Sequence, residues 1–132
     1  ARKIPAALLA NRDFNWNLKV DPRQVQAWRS IVETTKAKGV KLVPFIAPYL
    51  PGALGEHDLK ADFTKALMSD MDEPLSILDY SRAVQSDDAF ADRVHTNEIG
   101  ARVLFQRMVA DGVFAGIERR TSGEKARSGG TN

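Results

Sequence analysis

Residues 21 to 47 constrain the fold more than any other stretch of this chain. Asp21-Pro22 is a helix-start signal. An Asp side chain can cap the free amide groups of a first turn, and proline's fixed φ suits the first helical position. Val25, Trp28, Ile31 or Val32, and Thr35 then recur at helical spacing. Lys36 and Lys38 place cations where the helix dipole favours them, and Gly39 supplies the stop. Val40-Lys41-Leu42-Val43-Pro44-Phe45-Ile46-Ala47 follows at once and reads as a buried strand. Pro44 lacks an amide donor, so an irregularity such as a bulge is expected there.

The same alternation extends to both sides. Ile4–Ala10 is a short apolar run whose length leaves strand and helix both open. It passes into Asn11-Arg12-Asp13-Phe14-Asn15-Trp16-Asn17, which is turn chemistry. A second helix is expected to start near Glu56, run through Leu59, Phe63 and Leu67, and close at Asp70 to Pro74. Leu75–Tyr80 is a further strand candidate. A polar loop from Ser81 to Asp88 leads to Asp92 and His95, and Thr96 is expected to cap a last helix ending at Gly112. With Ile4–Ala10 taken as a strand, strand and helix alternate three times. The expected class is α/β, a parallel sheet of about three strands with three flanking helices and right-handed crossovers. The working site of such a sheet lies beyond the carboxyl ends of its strands. Asn11, Pro48-Tyr49 and the Ser81–His95 loop all fall at those ends.

Length and charge narrow the function classes. The 132 residues suit one small domain. The net charge of +2 arises in the tail, where Arg119, Arg120, Lys125 and Arg127 face only Glu118 and Glu124. Residues 1–117 are therefore expected to form the domain, and residues 118–132 a disordered basic tail. A charge-balanced body argues against a nucleic-acid-binding surface, and no apolar run is long enough to span a bilayer. The absence of cysteine excludes disulfides and thiolate chemistry but leaves cytoplasmic and periplasmic or secreted locations open. His57 and His95 are the only histidines. His57-Asp58 reads as surface polarity near a helix start, and no metal site is expected. No Walker or dinucleotide glycine loop occurs, and no cofactor is expected.

The chemistry concentrates in Phe90-Ala91-Asp92-Arg93-Val94-His95-Thr96-Asn97-Glu98-Ile99-Gly100. A histidine works as a general base when a carboxylate fixes its tautomer and stabilises the imidazolium that forms. Asp92 and His95, two residues apart in a turn before the last helix, can face one cleft. The plainer alternative is that Asp92 only caps the loop and His95 merely precedes a helix. Phe14 and Trp16, with Tyr49, are candidates for lining a substrate pocket.

From Phe90 to Gly100 the chain resembles the last motif block of the SGNH hydrolases, also called GDSL-type esterases. The resemblance implies that Asp92 is the orienting acid and His95 the general base of a Ser-His-Asp triad. Upstream, Leu8-Leu9-Ala10-Asn11-Arg12-Asp13 is similar to the family's Gly-x-Asn-Asp-like turn, which implies Asn11 as a side-chain donor to an oxyanion hole. It also implies the family's three-layer, flavodoxin-like α/β/α architecture. The family's Gly-Asp-Ser nucleophile turn has no counterpart in this sequence. On this resemblance the chain supplies strands 3, 4 and 5 of a 2-1-3-4-5 sheet, and its strand 3 edge is covered by an N-terminal half or by a homodimer partner. The implied activity is that of a serine esterase or O-acyltransferase on carboxylic esters, acylated carbohydrate among them. The alternative is a non-catalytic α/β binding module, monomeric or dimeric. Its oligomeric state would separate the two.

Overall fold

The computed structural model describes residues 3–13 and 19–116. Four helices, α1 (Ala6–Ala10), α2 (Pro22–Ala37), α3 (Leu59–Met68) and α4 (Glu98–Ala110), surround a small sheet of β1 (Phe45–Ile46) and β2 (Leu78–Asp79). The strands are parallel, with Phe45 opposite Leu78 and Ile46 opposite Asp79. A single 3-10 turn covers Asp87–Ala89.

The helix-start and helix-stop signals at residues 21 to 40 act as their chemistry dictates. The Asp21 carboxylate accepts from the Arg23 amide at 2.8 Å, and Gln24 Oε1 accepts from the Asp21 amide at 3.0 Å. The two side chains thus satisfy donors that the first turn leaves free. At the other end Gly39 takes φ +63°. That lets the Val40 amide reach back to the Thr35 carbonyl at 2.9 Å and the Gly39 amide to Lys36 at 3.1 Å. This double bond pattern is a Schellman stop. Asp58 caps α3 through the Ala61 amide at 2.9 Å. That helix therefore begins at Leu59, after the Glu56 start expected from the sequence.

The first apolar run is a helix, not a strand. Leu8 and Leu9 both donate to the Pro5 carbonyl, at 3.0 and 3.4 Å, and Asn11 donates to Ala7 at 3.3 Å. Its residues, Ala-Ala-Leu-Leu-Ala, are the best helix formers and include no β-branched side chain. The described residues accordingly hold two strands rather than three, so the free edge expected at Ile4–Ala10 is not a strand edge there, and β1 and β2 each keep one outer edge with no strand paired to it among the described residues. β1 is also shorter than the Val40–Ala47 run. Its backbone presents residues 44, 46 and 48 toward β2, and two of the three are proline. Pro44 accepts from the Leu78 amide at 3.0 Å and Ile46 from Tyr80 at 3.1 Å. Neither Pro44 nor Pro48 can return a donor. Ladder pairing therefore shrinks to two residues, with one further bond from the Tyr49 amide to Ser81 at 2.9 Å.

Two apolar clusters carry the packing. Ile46 and Ile77 join Leu54, Leu59 and Met68, with Trp28 of α2 and Phe63 of α3 against them. This places α2 and α3 over one face of the sheet. The second cluster, Ile4, Leu50, Ala53, Val84, Ala89 and Phe90, lies under Leu8 and Leu9 of α1. It supports the loops that leave the carboxyl ends of both strands. Phe90 is fully buried there.

α4 is capped by Asn97, not by Thr96. Asn97 Oδ1 accepts from the Ile99 and Gly100 amides at 2.9 and 3.3 Å, whereas Thr96 is spent in an antiparallel bridge to Phe90. Gly100 lets the helix approach this close. A Cβ there would sit 2.3 Å from the Ala89 carbonyl oxygen and 2.8 Å from Thr96 Cβ. The nearest obstacle is backbone, which cannot rotate away. Gly100→Ala is expected to destabilise the chain by about 1–3 kcal/mol, read from the urea midpoint. A midpoint equal to that of the wild type would show that the contact is not tight.

Candidate active site

The Asp92–His95 loop is closed on itself by backbone bonds. The Ala91 amide donates to the His95 carbonyl at 2.8 Å, and the Asn97 amide donates to Ala89 at 2.9 Å. Inside the ring, Asp92 Oδ1 accepts from the amides of Val94 and His95, both at 2.9 Å. Short Asp side chains favour this kind of local turn. The carboxylate therefore has a fixed place before the imidazole arrives.

His95 completes the arrangement. Its Nδ1 lies 2.9 Å from Asp92 Oδ2 and 3.0 Å from Oδ1. An ionised carboxylate can only accept, so the contact calls for a proton on Nδ1, and in a neutral ring that tautomer leaves the lone pair on Nε2. Side-chain exposure is 72 % for His95 and 42 % for Asp92. The carboxylate is the more sheltered partner and the imidazole the more open one. A reacting group can reach the ring without displacing the carboxylate. Burial pushes the Asp92 carboxyl up, but the Val94 amide, the His95 ring and the His95 amide together outweigh it, and the group sits below its ordinary value.

Asn97 anchors the loop from below. Besides capping α4, its Nδ2 donates to the Asp88 carbonyl at 2.6 Å and to Phe90 at 3.4 Å. One buried side chain thus ties the 3-10 turn, the loop and the helix together.

The turn after α1 reaches the same place. The Asn11 carbonyl accepts from Arg93 Nε at 2.9 Å and Nη2 at 2.5 Å. Arg12 grips the Asp87 carboxylate through two bonds, at 2.7 and 2.5 Å, and the Pro51 carbonyl at 3.2 Å. The guanidinium holds the Asp87 carboxyl below its ordinary value. The Leu50 amide donates to the Arg93 carbonyl at 2.9 Å. Asn11, the loop after β1 and the Asp92–His95 loop therefore meet, but Asn11 follows a helix rather than a strand, and its place comes from the Arg12 and Arg93 bonds and not from the carboxyl end of a strand. What the structure fixes at Asn11 is its backbone carbonyl.

Tyr49 is half-buried and packs its ring against the Ile46 cluster. Burial raises its hydroxyl. It also lines a cavity of 120 Å³ with Leu50, Ser81 and Val84. Phe14 and Trp16 lie outside the described residues, as does the basic tail. Arg12, Asp87 and Arg93 were not singled out by sequence reasoning. Arg12 and Asp87 are 75 positions apart and no local pattern joins them. Arg93 was in view only as a spacer within the motif.

Among the described residues no group of three or more His, Asp or Glu side chains is placed to hold a metal ion, and no helix is long and apolar enough to cross a membrane. No protein-family model matches the sequence, and no curated protein or solved structure matches it either.

The lowered Asp92 and Asp87 carboxyls have a consequence for stability. A group whose pKa is lower in the folded chain stabilises it above the unfolded pKa, and that contribution is lost as pH falls through the folded value. The urea midpoint is expected to fall between about pH 5 and about pH 2. Asp87→Asn should flatten part of that slope and leave the midpoint near neutrality lower. An unchanged slope in that variant would contradict the Arg12–Asp87 contribution.

Proposed function

We propose that this chain carries the base-bearing part of an SGNH-type serine esterase or O-acyltransferase acting on carboxylic esters, acylated carbohydrate among them. The observation that carries the reading is the Asp92–His95 pair: a carboxylate held by two backbone amides, bonded to Nδ1 of an exposed imidazole. A surface ion pair does not need a carboxylate fixed beforehand by its own loop.

The chemistry follows from the tautomer. Nε2 of His95 takes the proton of a serine hydroxyl as Oγ bonds to the ester carbonyl carbon. Asp92 stays ionised and stabilises the imidazolium. The C–O bond to the leaving alkoxide then breaks, and Nε2 returns its proton to that oxygen. In the second half His95 deprotonates water, for hydrolysis, or an acceptor hydroxyl, for acyl transfer, as that oxygen bonds to the acyl carbon; the bond from that carbon to the serine Oγ then breaks, and Nε2 returns its proton to Oγ. The Asn11 side chain would donate to the oxyanion. The serine would come from polypeptide beyond this sequence.

The finer fold belongs to the same proposal. A three-layer, flavodoxin-like sheet is supported by the parallel β1–β2 pairing and by α2 and α3 covering the Ile46 face. Further polypeptide against this chain is supported by Phe45, 45 % exposed, and by α4, which leaves Ile99, Val103, Phe105 and Val109 exposed on both its flanks. A helix apolar on so many sides is ordinarily a buried one. The same apolar surface is what a non-catalytic interaction module would present.

The test is ester hydrolysis by the polypeptide that joins this chain to its serine. His95→Ala is expected to lower kcat by at least about a thousandfold with the fold intact. Retained turnover would overturn the catalytic reading and leave the interaction module as the better one.

A further inference from the structure

We propose that Arg93, the residue between the acid and the base, is a positioning residue that sets the Asn11 turn against the His95 imidazole. The proposal rests on the hydrolase reading above and assigns to that site a part no motif marks. Arg93 is bonded to both other segments of the site. Its backbone carbonyl accepts from the Leu50 amide at 2.9 Å, so the loop is pinned to the segment that leaves β1. Its guanidinium sends two donors, Nε at 2.9 Å and Nη2 at 2.5 Å, to the single carbonyl oxygen of Asn11.

Two features separate this from a general tether. The turn is already fastened one residue on, where Arg12 is clamped by Asp87 and Pro51. A second fastening is not needed to keep α1 in place, because Leu8 and Leu9 also pack on the Leu50–Phe90 cluster. What the second fastening adds is orientation. With Arg12 held on one side and the Asn11 carbonyl on the other, rotation of the peptide between them is removed. The direction in which Asn11 presents its own groups is then fixed relative to a loop whose next member but one is the base. Arginine is suited to this because its planar fork brings two donors to one acceptor in a set direction, which a lysine ammonium does not.

Arg93→Gln tests the proposal, with Arg93→Lys beside it as the conservative variant that returns one donor. The first measurement is ¹⁵N relaxation of the Ala10–Asp13 amides in this chain, with urea unfolding as the control for fold. Greater motion at Asn11, with the Asp92–His95 loop unchanged, is the expected result. Relaxation identical to that of the wild type overturns the proposal. The second measurement is p-nitrophenyl acetate hydrolysis by the serine-bearing polypeptide. A loss in kcat of about a hundredfold, little change in KM and partial recovery in Arg93→Lys are expected. Unchanged kcat, in an assay where His95→Ala is inactive, overturns positioning alone. If His95→Ala is itself silent, the hydrolase reading has failed, and the relaxation result still decides whether Arg93 orders Asn11. Should Arg93→Gln not fold, Arg93→Lys carries the same two measurements.

Discussion

The close approach of the first turn of α4 to the Ala89 carbonyl is the constraint on which the rest of the site depends. It is possible because Gly100 has no side chain there. It is held because Asn97 uses its amide and its Nδ2 on the Asp87–Ala89 turn, at Ala89 and Asp88, and its Oδ1 on the first turn of α4. A buried carboxamide with that many bonds is costly to replace, since each lost partner leaves a desolvated polar group. The loop between Phe90 and Thr96 is therefore short and fully closed. Asp92 and His95 have few alternative placements left.

This geometry explains why an exposed pair can still be well ordered. Exposed ion pairs contribute little to stability, because solvent screens them and two side chains must be immobilised. Asp92 does not depend on His95 for its place. The Val94 and His95 amides fix the carboxylate first, and the imidazole then meets an acceptor already aimed at Nδ1. The outward fields are arranged in the same economical way. Arg12 is neutralised by Asp87, and Arg93 spends its donors on a carbonyl rather than on Asp92. No cation competes with His95 for the Asp92 carboxylate among these contacts.

Much of this could be read from the residues, and the exceptions have physical causes. The caps of α2 were legible because Asp21-Pro22 and Gly39 act through their own backbone within a few positions. The Asp92–His95 contact was legible for the same reason, being a local turn. Ile4–Ala10 was open in the sequence and was settled as a helix by alanine and leucine propensity, with Leu8 and Leu9 finding a core to cover. The other two strands fall within the runs expected for them, and β1 is shorter than Val40–Ala47 because Pro44 and Pro48 remove donors from the side facing β2. Thr96 and Asn97 are adjacent cap formers, and only the bridge from Phe90 to Thr96 decides between them. The bonds of Arg12 and Arg93 join segments far apart in sequence, and nothing in a single chain marks such pairs beforehand.

The central claim is that Asp92 holds His95 as a base with Nε2 bare, and the tautomer of that one ring reports on it most directly. Long-range ¹H–¹⁵N NMR on the labelled chain, at a pH where the imidazole is neutral, distinguishes the two ring nitrogens. The account predicts a His95 ring protonated at Nδ1 and unprotonated at Nε2, with that preference lost in Asp92→Asn. A ring carrying its proton on Nε2, or one indifferent to the Asp92 substitution, would contradict it.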